Sequence, residues 1–179
     1  MAELSMDRSV ESEETVSMEE LSAFLGKMAY PEEWQAYRDK KSIHAGFNGW
    51  AALFAVQWFL CRRLYWQAPL AFVLEIGFPV IVLLSAEAIV GDTGYKDYQI
   101  LICALVALAL LAARIIIGFW ANMALYKKAV KEIRTVDALN LDNEMHLKMI
   151  SSAGKLNVGI LVILYISAVI LRLVFESMN

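Results

Sequence analysis

Two long apolar segments joined by a short polar link dominate this chain of 179 residues. The first covers residues 68–90 and the second residues 99–122, and each exceeds the ~20 mostly apolar residues that a helix needs to cross ~30 Å of hydrocarbon. The link between them is short and polar, so the two arms must be antiparallel neighbours. The sequence therefore predicts a transmembrane helical hairpin within residues 67–123.

Composition and the end of the chain also favour a membrane protein. Hydrophobic residues make up 59% of the chain, whereas soluble domains average about 45–50%. Residues 156–171 carry no charge, which predicts a last span within residues 156–179. No basic patch with interleaved aromatic residues indicates nucleic acid. We expect an all-α integral membrane protein with three full spans, in contact with the lipid bilayer and without a nucleic-acid partner.

The start of the chain is polar and acidic. Residues 1–16 bury too little apolar surface to fold and are predicted to form a flexible tail. Residues 17–46 are predicted to form cytosolic amphipathic helices, the first opened by a capping box between Ser17 and Glu20 and the second, residues 31–41, by Pro31. Trp34 and Tyr37 would either rest on the membrane surface or pack against the cytosolic loop.

Residues 47–66 pose a separate question, because their apolar run is too short to span a bilayer comfortably. Runs of this length are more often re-entrant, interfacial or buried. We interpret the stretch as a short interfacial or re-entrant helix, with a distorted full span as the alternative. Its aromatic and basic residues suit the headgroup level. The predicted membrane-interface anchors are Trp50, Trp58, Arg62, Arg63, Tyr65 and Trp66.

Loop charge sets the orientation of the spans. Basic residues precede the first arm and recur through residues 124–155, whereas the link and the C-terminus carry one each. Because basic loops stay inside, the N-terminus and residues 124–155 should be cytosolic and the C-terminus periplasmic. Residues 124–155 are predicted as a helical loop, with a break at residues 137–143 and a small-residue hinge at residues 152–154.

Three ionisable residues lie within the arms, where charge is costly and partners are expected. Glu75 and Arg114 lie ~10 and ~12 Å from the inner ends of their arms, so they should meet as an ion pair. Pro79 removes the N–H that would bond the Glu75 carbonyl, which predicts a helix kink there, helped by Gly77. Glu87, near the outer end, should reach the interface beside Asp92, Lys96 or Asp97.

The ion pair has two interpretations, a lock for the hairpin or a protonatable site in a proton or solute path. Nothing else in the sequence indicates chemistry. No cysteine or histidine stands near His44 or His146 at metal-binding spacing, and neither a phosphate loop nor a nucleophile motif occurs. We expect no catalytic residue, no metal and no cofactor.

One set of residues forms a recognisable pattern: Phe24, Gly26 and Lys27, then Phe47, Asn48, Ala51, Ala52 and Phe54, then Trp58, Arg62, Arg63 and Tyr65, and later Ala121, Asn122, Tyr126, Lys131, Glu132 and Ile133. This pattern resembles that of bacterial inner-membrane proteins grouped as domain of unknown function 2628. The resemblance implies that location without implying an activity or catalytic residues.

Few spans, nearly free of polar groups, favour a non-enzymatic protein. Small residues on the spans permit close helix approach. We therefore expect an accessory or scaffold subunit of a membrane complex in the bacterial inner membrane, bound to another membrane protein or to itself. The alternative is a small transporter or channel subunit that uses Glu75 and Arg114.

Overall fold

A computed structural model describes residues 16–26 and 31–178, with all their side chains except those of residues 31, 90–97, 164, 168, 171, 174, 177 and 178. These residues form seven α-helices and one π-helical turn, and they contain no strand. The elements are α1 (Met18–Leu25), α2 (Pro31–Arg38), α3 (Gly49–Cys61), α4 (Gln67–Phe72), the π turn (Val73–Gly77), α5 (Phe78–Asp137), α6 (Asn143–Gly154) and α7 (Val158–Met178). The predicted tail falls almost entirely outside the described residues.

The predicted all-α fold is confirmed, and within the described part of the chain three segments are long and apolar enough to cross a membrane. They are Gln67–Ile89, Tyr98–Asp137 and Asn143–Ser167. Non-helical residues 155–157 interrupt the third, so its apolar part belongs to α7. The helix α3, with 13 residues, is shorter than these three.

The first two of these segments lie side by side. Helical backbone runs from Phe78 to Asp137, yet Glu75 contacts Arg114. A straight helix at ~1.5 Å per residue would place Phe78 and Arg114 ~54 Å apart. The contact therefore requires Gln67–Ile89 and Tyr98–Asp137 to be neighbouring arms. The predicted polar link falls mostly on residues 90–97, outside the described side chains.

The described residues up to Asn48, together with Phe119–Lys155, form one compact unit. The helix α1 begins at the predicted capping box, in which Ser17 Oγ accepts from the Glu20 N–H and the Glu20 carboxylate accepts from the Ser17 N–H. Its apolar face packs on α6. Large side chains with almost no exposure form the core of the unit: Leu21, Phe24, Trp34, Leu125, Tyr126, Ile133 and Ile150.

Trp34 and Tyr37 pack inside this unit. Both rings meet Tyr126 edge to face, with centroids 5.3 Å and 5.2 Å away, and Trp34 has no exposed surface. Edge-to-face aromatic pairs add to the stability gained by burial. Of the two alternatives left open by the sequence, the described contacts support packing against the segment that follows the second arm.

Two predicted boundaries differ from those observed. The helix α2 ends at Arg38, short of residue 41, because Lys40 takes a left-handed conformation (φ 55°) that stops a helix. The small residues at 152–154 are the last residues of α6, and the break follows at residues 155–157. The break predicted at residues 137–143 lies between α5 and α6, where Asn140 also has positive φ.

The second unit comprises Gly49–Gly118 and the described residues from Leu156 onward. Here α3 packs against α4 and α7. The buried positions carry mostly small side chains, which let helices approach closely. They include Ala51, Ala55, Ala68, Ala71, Ala109 and Ala113. The outer faces of the long helices are exposed and apolar, as expected of surfaces that contact lipid or another membrane protein.

Candidate functional site

Glu75 lies where the helix changes its winding. The residues Val73–Gly77 form a π-helical turn between α4 and α5, and Pro79 follows two residues later. Proline has no N–H, so the Glu75 carbonyl loses the partner four residues ahead. A wider turn is one way for a helix to absorb such a gap, and π turns occur frequently at functional sites. The observed irregularity therefore covers Glu75 and Gly77, the region where the sequence predicts a kink.

Arg114, on α5, gathers three acceptors around one guanidinium. Its Nη2 contacts Glu75 Oε1. Its Nη1 donates to the Ala52 carbonyl at 2.9 Å and also to the Leu53 carbonyl. The structure thus brings Glu75 and Arg114 together, and it adds two backbone acceptors from a third helix.

The two carbonyls lie immediately before a break in α3. Ala55 has φ 22° and ψ −102°, well outside the helical region. In an unbroken helix the Ala52 and Leu53 carbonyls would accept from the N–H groups of residues 56 and 57. The break at Ala55 interrupts this pattern, and guanidinium, with five N–H donors, can serve several acceptors at once. Arg114 therefore caps the carbonyl end of the first half of α3 by donating hydrogen bonds to it.

Charge and helix polarity favour the same arrangement. The last carbonyls of a half-helix form its negative end, and the Glu75 carboxylate adds a full negative charge beside them. A cation at this position is stabilised by both. The side chains of Arg114 and Glu75 are 32% and 20% exposed, so other parts of the protein cover most of the surface of both side chains. The arrangement ties α3, the π turn and α5 together.

The predicted interface anchors divide into two groups. Trp50, Arg63, Tyr65 and Trp66 are exposed. Trp58 and Arg62 are buried instead, with 9% and 4% exposure. Their burial follows from packing, because the Arg62 guanidinium lies 6.0 Å from the centre of the Trp58 ring and Phe59 meets that ring edge to face at 5.3 Å. These two side chains are packed within the protein and are not exposed.

Glu87 is exposed, as a carboxylate that reaches the interface would be. The neighbours expected for it, Asp92, Lys96 and Asp97, fall outside the described side chains.

A buried amide pair was missed by sequence reasoning. Asn48 Nδ2 donates to Asn122 Oδ1 at 3.0 Å, and Asn122 Nδ2 donates to the Ala45 carbonyl at 3.2 Å. Asn48 and Asn122 are almost fully buried. In the sequence, each stands at the border of an apolar run, and each is among the residues that carry the family resemblance. A separation of 74 residues gives no way to pair them without the fold.

Cys61, at the end of α3, is a buried free thiol. Burial raises the pKa of the Cys61 thiol above its ordinary value, and the neighbouring Arg62 charge lowers it by less. The thiol therefore stays protonated at neutral pH, which makes it a poor nucleophile. Its backbone carbonyl accepts from the Asn157 N–H at 2.8 Å, so the end of α3 is fixed to the start of α7.

Residues 10–131, more than half of the chain, match a family whose description reads "Protein of unknown function (DUF2628)". The matched part includes Glu75, Arg114 and the broken helix α3. The match confirms the resemblance seen in the sequence. No curated protein and no solved structure matches the chain.

Proposed function

Because this chain belongs to the family of proteins of unknown function DUF2628, which brings no activity with it, we propose a role from the geometry. The protein is an integral protein of the bacterial inner membrane without a catalytic site. It serves as an accessory or scaffold subunit that binds another membrane protein or a second copy of itself.

One observation carries this proposal: Arg114 and Glu75 are occupied with each other and with the backbone of α3. A guanidinium held by a carboxylate and two carbonyls is well suited to fixing three segments in place. Charged groups inside a membrane pair in this way when they are retained. The contacts therefore support a structural lock, the first of the two interpretations that the sequence allows.

The outward face of α5 supports the docking part of the proposal. Ile102, Ala109, Ala113 and Ile117 are buried on one side of this helix. The opposite side carries Ile100, Ala104, Ala107 and Leu111, all exposed. Two alanines between larger side chains make a shallow depression, and small residues at such positions permit close helix contact.

The proposed orientation has the N-terminus and the unit containing α1, α2 and α6 in the cytosol and the C-terminus in the periplasm. Basic residues of this unit support it, since inside loops are rich in lysine and arginine. Lys127 and Lys131 are exposed on the end of α5, and Lys148 and Lys155 are exposed on or after α6.

Extraction in a mild detergent followed by native mass measurement tests the proposal. We expect a particle heavier than one 20.1 kDa chain plus bound detergent, either a homo-oligomer or a complex whose partner mass spectrometry identifies. The variant Ala107→Phe should reduce that mass to the single chain, because its ring fills the depression on α5. Ile163→Phe, an exposed site on α7, is the matched control and should leave the mass unchanged. A wild-type particle that is always a lone chain would contradict the proposal.

A second candidate, a small transporter or channel subunit, is favoured by the broken helix and the π turn. Discontinuous helices form substrate and ion sites in many transporters, and Glu75 is a carboxylate able to carry a proton.

Proton flux into vesicles that contain the purified protein and a pH-sensitive dye separates the two candidates. If transport is the function, Glu75→Gln should abolish a flux that the wild type supports, in protein that still inserts and folds. Glu87→Gln, which changes an exposed carboxylate, should leave the flux intact. A wild type indistinguishable from empty vesicles leaves only the scaffold role.

A further inference from the structure

Three side chains that are distant in sequence converge in the unit that contains α1 and α6. Glu20 lies in the first turn of α1, Asp137 is the last residue of α5, and His146 lies in the first turns of α6. His146 Nε2 lies 2.7 Å from Asp137 Oδ1 and 3.8 Å from Glu20 Oε1. The three atoms all fall within 4.8 Å of one another.

We propose that Glu20, Asp137 and His146 bind a divalent transition-metal ion, with Zn²⁺ as the expected occupant. An imidazole nitrogen with carboxylate oxygens is a donor set that zinc accepts at about 2.0–2.2 Å. Tetrahedral bonds of that length place ligand atoms about 3.4 Å apart. The contact between His146 and Asp137 would open slightly and the distance between His146 and Glu20 would close slightly, so small side-chain rotations suffice.

Glu20 is already oriented for this role. Its Oε2 accepts from the Ser17 N–H at 2.7 Å as part of the capping box, which leaves Oε1 directed at His146. Partners that hold a metal ligand in position from behind usually raise affinity. The side chains of Glu20 and His146 are 18% and 15% exposed and that of Asp137 is 45% exposed, so the ion would be covered on one side and open on the side of Asp137.

Space for a fourth ligand lies next to the cluster. A cavity of about 280 Å³ is bounded by Asp137, Asn140, Leu141, Asn143 and His146. It opens to the surface and gives an ion a path of entry. A water molecule in the cavity would complete a tetrahedral site of three protein ligands, the arrangement in which zinc keeps an open position. The amide side chains of Asn140 and Asn143 offer further oxygen ligands.

An ion at this position would join α1 to the junction of α5 and α6. Sequence spacing alone did not reveal it, because the nearest two ligands are nine residues apart and the third is more than a hundred residues away. The cluster depends on how α1 packs against α6. A bound metal stabilises whatever folded state presents its ligands together.

Calorimetric titration of the full chain with ZnCl₂ in detergent, after removal of metal with a chelator, tests the site. We expect one Zn²⁺ per chain with a dissociation constant in the micromolar range or below. His146→Gln should weaken binding at least tenfold. His44→Gln is the matched control, since His44 is the other histidine of the chain and is exposed, and it should bind as the wild type does.

Glu20→Gln is a second ligand variant that should keep the N-terminal cap of α1, because glutamine also serves in a capping box. It should weaken zinc binding by tenfold or more, with a melting temperature in the absence of metal that matches the wild type. Co²⁺ in place of zinc should give visible absorption of tetrahedral intensity in the wild type and lose it in both ligand variants. Absence of saturable binding by the wild type, or equal losses in His44→Gln and His146→Gln, would overturn the proposal.

Discussion

Replacing Arg114 by leucine should lower the free energy of unfolding by about 3 kcal/mol. The substitution leaves the Glu75 carboxylate and the Ala52 and Leu53 carbonyls without the donor that they share. Removing one partner of a buried ion pair typically costs about 3–5 kcal/mol. The lower end applies here because the pair is partly exposed within the protein. Unfolding in detergent micelles, followed by tryptophan fluorescence, measures the change.

The chain offers a matched control in a second arginine–glutamate pair. Arg172 and Glu176, one turn apart on α7, are 80% and 57% exposed. Pairs of this kind contribute little to stability. Arg172→Leu should therefore change the free energy of unfolding by no more than about 0.5 kcal/mol. If Arg172→Leu and Arg114→Leu lower the free energy of unfolding equally, the contacts of Arg114 stabilise the protein no more than an exposed ion pair does.

Two further variants separate charge from backbone contact at the same site. Glu75→Gln keeps an acceptor for Arg114 and should cost less than Arg114→Leu. The double variant Glu75→Leu with Arg114→Leu removes both charges, and paired apolar replacements often recover stability. If the double variant remains as unstable as Arg114→Leu, the loss comes from the unsatisfied carbonyls of α3 and not from the isolated carboxylate.

The sequence predicted the contact between Glu75 and Arg114, but it did not predict the break in α3 that the same arginine contacts. Depth along two antiparallel helices depends only on rise per residue, so Glu75 and Arg114 could be matched by counting. The break in α3 could not be foreseen in that way, because Ala55 is a good helix former with no local reason to leave the helical region. The conformation there depends on tertiary contacts, of which the bond from Arg114 to the Ala52 carbonyl is one.

The unit that contains α1, α2 and α6 shows the same division. The capping box at Ser17 is a local pattern, and it was predictable from the residues alone. The approach of His146 to Glu20 depends on how α1 lies against α6, which no local pattern specifies. Buried Trp58 and Arg62 differ from their predicted role for a similar reason: aromatic and basic residues favour membrane interfaces, but they pack equally well on one another.

The packing of α1 on α6 leads to the second large effect, at Gly154. This glycine is buried, and a Cβ there would lie 2.6 Å from the Phe24 carbonyl carbon and closer still to its oxygen. Both obstacles are backbone atoms, so no side-chain rotation relieves them. We expect Gly154→Ala to lower the free energy of unfolding by roughly 3 kcal/mol, the upper part of the range for overpacked sites.

Gly49→Ala is the control for this variant, because a Cβ at residue 49 meets nothing within 4 Å. Thermal unfolding of the full chain should show a clear drop for Gly154→Ala and almost none for Gly49→Ala. Limited proteolysis should also cut the chain near α1 faster in Gly154→Ala, since α1 can no longer lie flat on α6. If both variants melt at the temperature of the wild type, α1 must lie farther from α6 than the contact between residue 154 and Phe24 requires. Glu20 would then lie too far from His146 to bind the same metal ion.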